Sequence, residues 1–310
     1  MSDLRSTPRT LRLGHSPDPD DAFMWWPLEE AEGESPRVAD PRFRFECVPL
    51  DIESLNRRAE EAAPADRLEI TALSCAAYPR VADRYLLTAC GSSVGEGYGP
   101  KLVAKPGRDL DSLVGARIAI PGRRTTAFTT SSLLLGPDRF TPVEIEFDRI
   151  EQAVAAGEVD AGVVIHEGQL TFARHGLELL VDLGAWWRDR TGLPLPLGAN
   201  AVSRSLAEEL GDLGAAELSG LLRRSVEHAM EHREESIRRA LGFARGLEAE
   251  LADEFVGLYV NRWTLDYGDV GRRAVARLLG EAAEAGLVPR LDEVEFLGPE
   301  GRVTEPVVAS

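Results

Sequence analysis

His166 and Glu167 stand at the end of the apolar run Ala161-Gly-Val-Val-Ile165, so an imidazole and a carboxyl sit where a strand should stop. An imidazole titrates near working pH, which suits it to general-base chemistry. In open α/β sheets, ligands collect beyond the carboxyl ends of strands. A hydrogen-bonded structural histidine is the commoner fate of such a residue, and its position alone does not separate the two.

Residues 120–128, IPGRRTTAF, place Pro121-Gly122-Arg123-Arg124 between a strand and a helix predicted to start near Thr125. Threonine is a good helix cap, and the free amides of a helix start attract anions. One reading is a capped helix with two solvated arginines. The other has Thr125 and Thr126 holding carboxylate or hydroxyl oxygens, with the arginines supplying positive potential nearby.

SPDPDDAF, residues 16–23, compresses three aspartates between a strand and a helix. Asp18, Asp20 and Asp21 read as a metal site, an acid/base pair, or a helix start. Ser16, Asp18 or Asp20 can cap, and acidic residues in a first turn suit the helix dipole. His15 and Ser16, at the strand's carboxyl end, are candidates to line a cleft, as is Ser74 in TALSCAAYP.

Other motifs carry less. HAMEH, His228 to His232, matches the H-x-x-E-H zinc spacing. Its surroundings read as a solvated charged helix, and no third ligand stands out. GEGYG opens no helix, so it is not a dinucleotide loop. No P-loop occurs.

The elements that must position these residues alternate in type. TLRLGHS, FRFECVPLD, LEITALS, YLLTACGS, KLVAKP, ARIAIPG, VEIEFD, AGVVIHEG and LELLVDLG read as strands. Helices are expected over 20–32, 52–63, 125–135, 149–157 and around Trp186-Trp187, and nearly everything from 205 to 287 is helical. This rhythm indicates a mostly parallel sheet with covering helices. Two Gly/Pro-bearing extended stretches, near 92–105 and 192–203, bracket the middle unit. The economical architecture is α/β with two lobes. Lobe 1 is discontinuous, 11–101 and 202–310 with the C-terminal helices; lobe 2 is 102–201; residues 1–10 form a tail. Such lobes hold a small ligand in the cleft between them.

The 310 residues carry a net charge of −17, and this excess of anions argues against nucleic acid or an anionic membrane as a partner. An anionic ligand would need local positive potential from a helix N-terminus or a few arginines. MSDLRSTPRT has no apolar core and does not read as a secretory signal. Cys47, Cys75 and Cys90 lie in apolar settings without a C-x-x-C pair, which suits reduced thiols and a cytoplasmic location. The long C-terminal helices could support a homodimer.

Taken together these stretches resemble one family, the 1,4-dihydroxy-6-naphthoate synthases of the futalosine route to menaquinone. The matching elements are SPxPxDxF, LSxAAY, GxGxGP, IPGRxTTA, AGVVIHE, DLGAWW with TGLPLPLGA, and YVNRWTLDYGDVGRRAVARLL, in the family's order over roughly residues 11–288. The resemblance implies a type II periplasmic-binding-protein-like fold, in agreement with the two-lobe reading. It also implies a carbon–carbon lyase step, from cyclic dehypoxanthinylfutalosine to 1,4-dihydroxy-6-naphthoate, with no metal or redox cofactor. The family's proposed base falls on His166, and its substrate threonines fall on Thr125 and Thr126. Ser16, Ala72, Leu73 and Ser74 complete the expected substrate contacts, for a small anionic aromatic substrate.

Two departures stand out. Where the family commonly reads SPCPND, this chain has Ser16-Pro17-Asp18-Pro19-Asp20-Asp21. Where it reads T-K-L-S, this chain has Thr71-Ala72-Leu73-Ser74, with Arg123 and Lys101 as candidates to replace the lost cation. The alternatives are a solute-binding protein for a small organic anion, and a sibling enzyme such as a chorismate dehydratase.

Overall fold

The computed structural model describes residues 7–30, 33–242 and 249–307. The expected tail is shorter than read: residues 1–6 lie outside the described residues, and Arg9 already pairs in the first strand.

The chain begins β1 (Arg9–His15), α1 (Pro19–Trp25), β2 (Phe43–Pro49), α2 (Ile52–Glu61), β3 (Ile70–Ser74), β4 (Tyr85–Thr88) and β5 (Ser93–Gly95). The middle unit is β6 (Lys101–Ala104), β7 (Arg117–Ile120), α3 (Thr126–Leu135), β8 (Thr141–Glu144), α4 (Ile150–Ala156), β9 (Ala161–Val164), α5 (Gly168–Thr171), β10 (Glu178–Asp182) and α6 (Leu183–Thr191). Then come β11 (Leu195–Ser203), α7 (Arg204–Glu231), α8 (Arg233–Leu241), α9 (Ala249–Tyr259), α10 (Arg262–Leu265), α11 (Gly268–Glu284), β12 (Glu293–Gly298) and β13 (Gly301–Pro306).

Two sheets result, one per lobe. The larger runs β13-β12-β4-β11-β3-β1-β2, with β5 also on β11; the smaller runs β10-β6-β9-β7-β8. Both are mixed rather than mostly parallel. β1 pairs parallel with β2 and β3, but β11 is antiparallel to β3, β4 and β5. In the smaller sheet β6 is antiparallel to β9 and β10, while β7 is parallel to β8 and β9. The physical reason is the crossing itself: a chain that returns from the second lobe enters the first sheet running backwards. All of β11 lies in the larger sheet, so the return falls before Leu195 rather than at 201.

Strand periodicity sets the cores. Leu102, Ala104, Ile118 and Ile120 face one cluster while Val103 and Ala119 between them face another, as a two-residue repeat requires. The first cluster joins the lobes, because it also takes in Leu73, Tyr85, Leu195, Trp263 and Phe296 of the larger lobe. A separate core packs β1 and α1 against α7, α8 and α9. Close approach fixes the crossing: a Cβ on Gly184, at the start of α6, would lie 1.9 Å from Tyr98 O and 2.6 Å from Gly99 N. The GEGYGP stretch is therefore a packing device for α6, not a nucleotide loop.

The helices start where their caps sit. Asp51 accepts from Ser54 N at 3.0 Å to open α2, and Thr125 accepts from Phe128 N at 3.2 Å to open α3. α1 is shorter than the expected 20–32, ending at Trp25 with one tighter turn over Trp26–Leu28; residues 31–32 lie outside the described residues. The β12–β13 hairpin at the edge of the larger sheet was not among the expected strands.

Candidate active site

A cleft between the lobes encloses about 660 Å³ of unoccupied space, its mouth included. The β1–α1 turn contributes Ser16, Asp18, Asp20 and Asp21; β3 contributes Ala72, Leu73 and Ser74. The other lobe contributes Thr125, Thr126 and Ala127 at the head of α3, with Ile165, His166 and Gln169 after β9. Every residue expected at the site from the sequence therefore borders one space. His15, a candidate to line the cleft, does not border it: it is buried beside the turn, with Nδ1 2.6 Å from Ser16 O. Burial holds its imidazole below the ordinary histidine range.

His166 reaches the cleft through unusual backbone. Its φ of 51° is the one left-handed value among the described non-glycine residues. The ring lies edge-on to Phe147, with centroids 4.8 Å apart, and close to Phe255. Its Nε2 stands 3.0 Å from Asp18 Oδ2, which comes from the opposite lobe.

The aspartates do not cap α1. Asp18 occupies the cap position without a side-chain bond to the helix amides. Its Oδ2 instead accepts the Ser16 hydroxyl. Asp21 accepts from Ser16 N at 2.8 Å, and Asp20 accepts from Ser93 Oγ at 2.9 Å. Burial pushes the Asp18 carboxyl up to about 6; His166 opposes the rise and Asp20 adds to it. Burial and the neighbouring Asp20 also push Asp21 well above the usual carboxylate range. Among the described residues no three His, Cys, Asp or Glu side chains are grouped to hold a metal ion. His228 and His232 stack on each other at 4.0 Å, away from the cleft.

The two threonines are more engaged than expected. Thr125 Oγ1 donates to Gly122 O at 2.7 Å while it caps Phe128 N. Thr126 Oγ1 donates to Leu197 O at 2.7 Å and accepts from Ala76 N at 3.2 Å. What α3 offers the cleft is the start of its backbone, with Thr126 and Ala127 in its first turn, where a helix favours an anionic oxygen. Ser74 is held from behind by Asn56, whose Nδ2 donates to Ser74 Oγ at 3.0 Å and whose Oδ1 accepts from Ser74 N at 2.8 Å. That leaves the Ser74 hydroxyl hydrogen to point elsewhere.

The arginines do not supply the expected potential. Arg123 pairs with Glu144 on the outside, and Arg124 pairs with Glu53, Glu60 and Glu61. Lys101 donates to Gln169 O at 2.9 Å and lies over the Phe172 ring. Among the described residues no lysine or arginine borders the cleft. Ala72 borders it with nothing to take the place of a cation, so the walls are acidic and apolar.

Sequence reasoning missed the far wall. Tyr259 OH donates to Gln169 Oε1 at 2.6 Å, and Phe255 stacks obliquely on Tyr259 at 4.9 Å. Turned over, the Gln169 amide instead donates from Nε2 to Tyr259 OH and to Gly99 O, each at 2.6 Å, and its oxygen accepts from His166 N at 3.2 Å. Phe255 and Tyr259 are four apart on α9, the spacing that stacks two side chains on one helical face. Nothing local says that this face closes a cleft.

The chain is similar to known proteins along most of its length. The family model for menaquinone biosynthesis matches residues 11–284. A Thermus thermophilus protein named 1,4-dihydroxy-6-naphthoate synthase is 46% identical over 281 residues, covering 89% of this chain and 95% of that one. A Streptomyces coelicolor protein of the same name is 35% identical, covering 91% and 96%. Among solved structures, a protein of Archaeoglobus fulgidus superposes with a TM-score of 0.78 at 39% identity, covering 93% of this chain and all of that one. The alkanesulfonate-binding protein of Xanthomonas axonopodis pv. citri, bound to MOPS, gives a TM-score of 0.61 at 16% identity over 92% of this chain and 96% of its own. That likeness shows the fold alone, a periplasmic-binding-protein-like one. Two lobes, a cleft between them, and this extent of identity fix the kinship: the chain belongs to the 1,4-dihydroxy-6-naphthoate synthase family of menaquinone biosynthesis.

Proposed function

We propose that this protein is a carbon–carbon lyase that converts cyclic dehypoxanthinylfutalosine to 1,4-dihydroxy-6-naphthoate, with His166 as the general base. The observation that carries the reading is His166 itself, held in left-handed backbone at the end of β9 and facing the cleft from a ring of apolar neighbours. Proton removal starts the fragmentation, and an imidazole within an enclosed cleft suits that task.

The substrate is a small anionic aromatic molecule. Its anionic oxygen belongs at the head of α3, whose free amides give that part of the wall positive character. The Ser74 hydroxyl, braced by Asn56, is placed to donate to it or to a neighbouring oxygen. Asp20 and Asp21 suit substrate hydroxyls as acceptors, and Phe255 and Tyr259 offer apolar faces to an aromatic ring. Net anionic walls keep the site selective against simple organic anions, because each must find the helix start rather than a general positive surface. Cys75 and Cys90 are buried free thiols, which supports a reducing, cytoplasmic setting.

The test is direct: purified protein is incubated with the cyclic substrate, and product is read by fluorescence and mass spectrometry. Formation of the dihydroxynaphthoate is expected. Substrate recovered unchanged from a compacted complex would instead make the protein a binding protein, and turnover of chorismate alone would make it the sibling enzyme.

A further inference from the structure

We propose that Asp18 is the positioning residue for His166, holding Nε2–H from the opposite lobe so that Nδ1 keeps the lone pair that takes the substrate proton. The inference rests on His166 being the base, and adds a partner, a tautomer and a condition for both.

Three independent features point the same way. Asp18 sits at the cap position of α1 yet leaves the helix amides alone, so its carboxylate is committed elsewhere. Oδ2 is fixed by the Ser16 hydroxyl, while Asp18 N lies 3.3 Å from Ser16 Oγ, so the turn clamps the carboxylate from both sides. The second feature is the imidazole. Its Nε2 is buried and has no well-aligned hydrogen bond, but Asp18 Oδ2 lies 3.0 Å away, so a small turn of the ring aligns the pair. A buried donor left without an acceptor is costly, and Asp18 is the acceptor within reach. The third is the backbone. A left-handed non-glycine residue is strained and persists only where its surroundings impose it. Here it carries the ring toward the opposite lobe, where Phe147 and Phe255 box it in.

The proton ledger follows. At rest the carboxylate accepts Nε2–H. The substrate proton moves to Nδ1, its bonding pair stays on the substrate to drive cleavage of the carbon–carbon bond, and the imidazolium that forms is countered by Asp18. The proton then leaves from Nδ1 to product or water, and the pair is restored. Other ionisable groups around it are Asp20 and Asp21 on α1, Glu167 beside His166, and Glu151 on α4 behind it. All are acidic, so Asp18 is distinguished by contact rather than by charge. Because the two partners belong to different lobes, closing the cleft assembles the base.

The experiment uses the full chain labelled with 15N-histidine, with the His166 signals assigned by their loss in His166→Ala. Imidazole nitrogen shifts are recorded at pH 8 without substrate, beside kcat and KM with the cyclic substrate. The wild type is expected to hold the Nε2–H tautomer. Asp18→Ala should lose that preference and lower kcat about tenfold or more with KM within about twofold. Asp18→Asn, which keeps an acceptor oxygen but no charge, should keep the tautomer and recover part of kcat. A dominant Nδ1–H tautomer in the wild type, or an Asp18→Ala protein with unchanged tautomer and kcat, would overturn the pairing. Tautomer control without turnover of the substrate would reject the lyase reading and support the pairing. Turnover with an uncontrolled tautomer would do the reverse.

Discussion

Thr126, in the first turn of α3, donates its hydroxyl hydrogen to Leu197 O on β11 at 2.7 Å, and the same oxygen accepts from Ala76 N at 3.2 Å. One side chain of the smaller lobe thus satisfies two backbone groups of the larger one. The residue expected to hold substrate is instead part of what holds the cleft together, and only its backbone remains for a ligand.

Thr126→Val keeps the shape and removes both bonds. The buried Ala76 N and the half-buried Leu197 O then lose this partner, a cost of about 1–3 kcal/mol, mostly from Ala76 N. Urea unfolding should show a lower midpoint by a corresponding amount, and KM should rise because the walls no longer meet at the same spacing. An unchanged midpoint would mean that water replaces the hydroxyl without loss.

Arg124, beside Thr125 in the smaller lobe, ties that lobe to α2 of the larger one. It pairs with Glu53, Glu60 and Glu61 on α2, and its amide donates to Glu53 Oε2 at 3.1 Å. Burial raises the Glu53 carboxyl above its ordinary range, against the pull of the Arg124 amide and of Arg57 and Arg124. Arg124→Met keeps the stem and leaves Glu53 to Arg57 and the amide. A stability loss of about 1–2 kcal/mol is expected, since bonds to charged groups are worth more than neutral ones. Steady-state kinetics should show a several-fold higher KM with kcat nearly unchanged, because Arg124 does not border the reacting atoms. A fall in kcat alone would contradict this placement.

The Asp18 carboxyl gives a pH signature of its own. Folding raises it from 3.8 to about 6, so the folded protein holds that proton more tightly than the unfolded chain. The resulting stabilisation is fully present below the unfolded value and is lost as pH rises through about 6. Asp18→Asn cannot ionise, so relative to the wild type it should gain roughly 2–3 kcal/mol between acid and neutral pH. Denaturation midpoints measured across that range check the sign; a parallel pair of curves would show that Asp18 is ionised at no cost.

The alternating strands and helices were legible because side chains repeat every two residues along a strand and roughly every four along a helix. The direction of strand pairing was not. Whether β11 runs with or against β3 depends on where the chain returns from the other lobe, and no local pattern records that. The hairpin β12–β13 did leave a signal, since Val294 and Phe296 alternate with Glu293 and Glu295 before the turn Pro299-Glu300. The expected helices end at 287, and no element is expected over the residues that form the hairpin.

The site divides in the same way. His166, Ser74 and the threonines stand at strand ends and helix starts, where ligands gather, so their places could be read off. Asp18 looked like a cap because a short acidic residue before a helix usually is one. Its true partner, His166, is far along the chain on the other lobe, and only the folded structure brings the two together. Asn56, Gln169 and Tyr259 were invisible for the same reason: each acts through a contact distant in sequence.

The central claim is that His166 removes the proton that starts the lyase reaction. The most direct test mixes excess wild-type or His166→Ala protein with the cyclic substrate and follows a single turnover by product fluorescence. In parallel, product affinity is measured by titration. The account predicts that His166→Ala binds 1,4-dihydroxy-6-naphthoate within a few-fold of the wild type while turnover falls by about 100-fold or more. A His166→Ala protein that turns substrate over at the wild-type rate would contradict it.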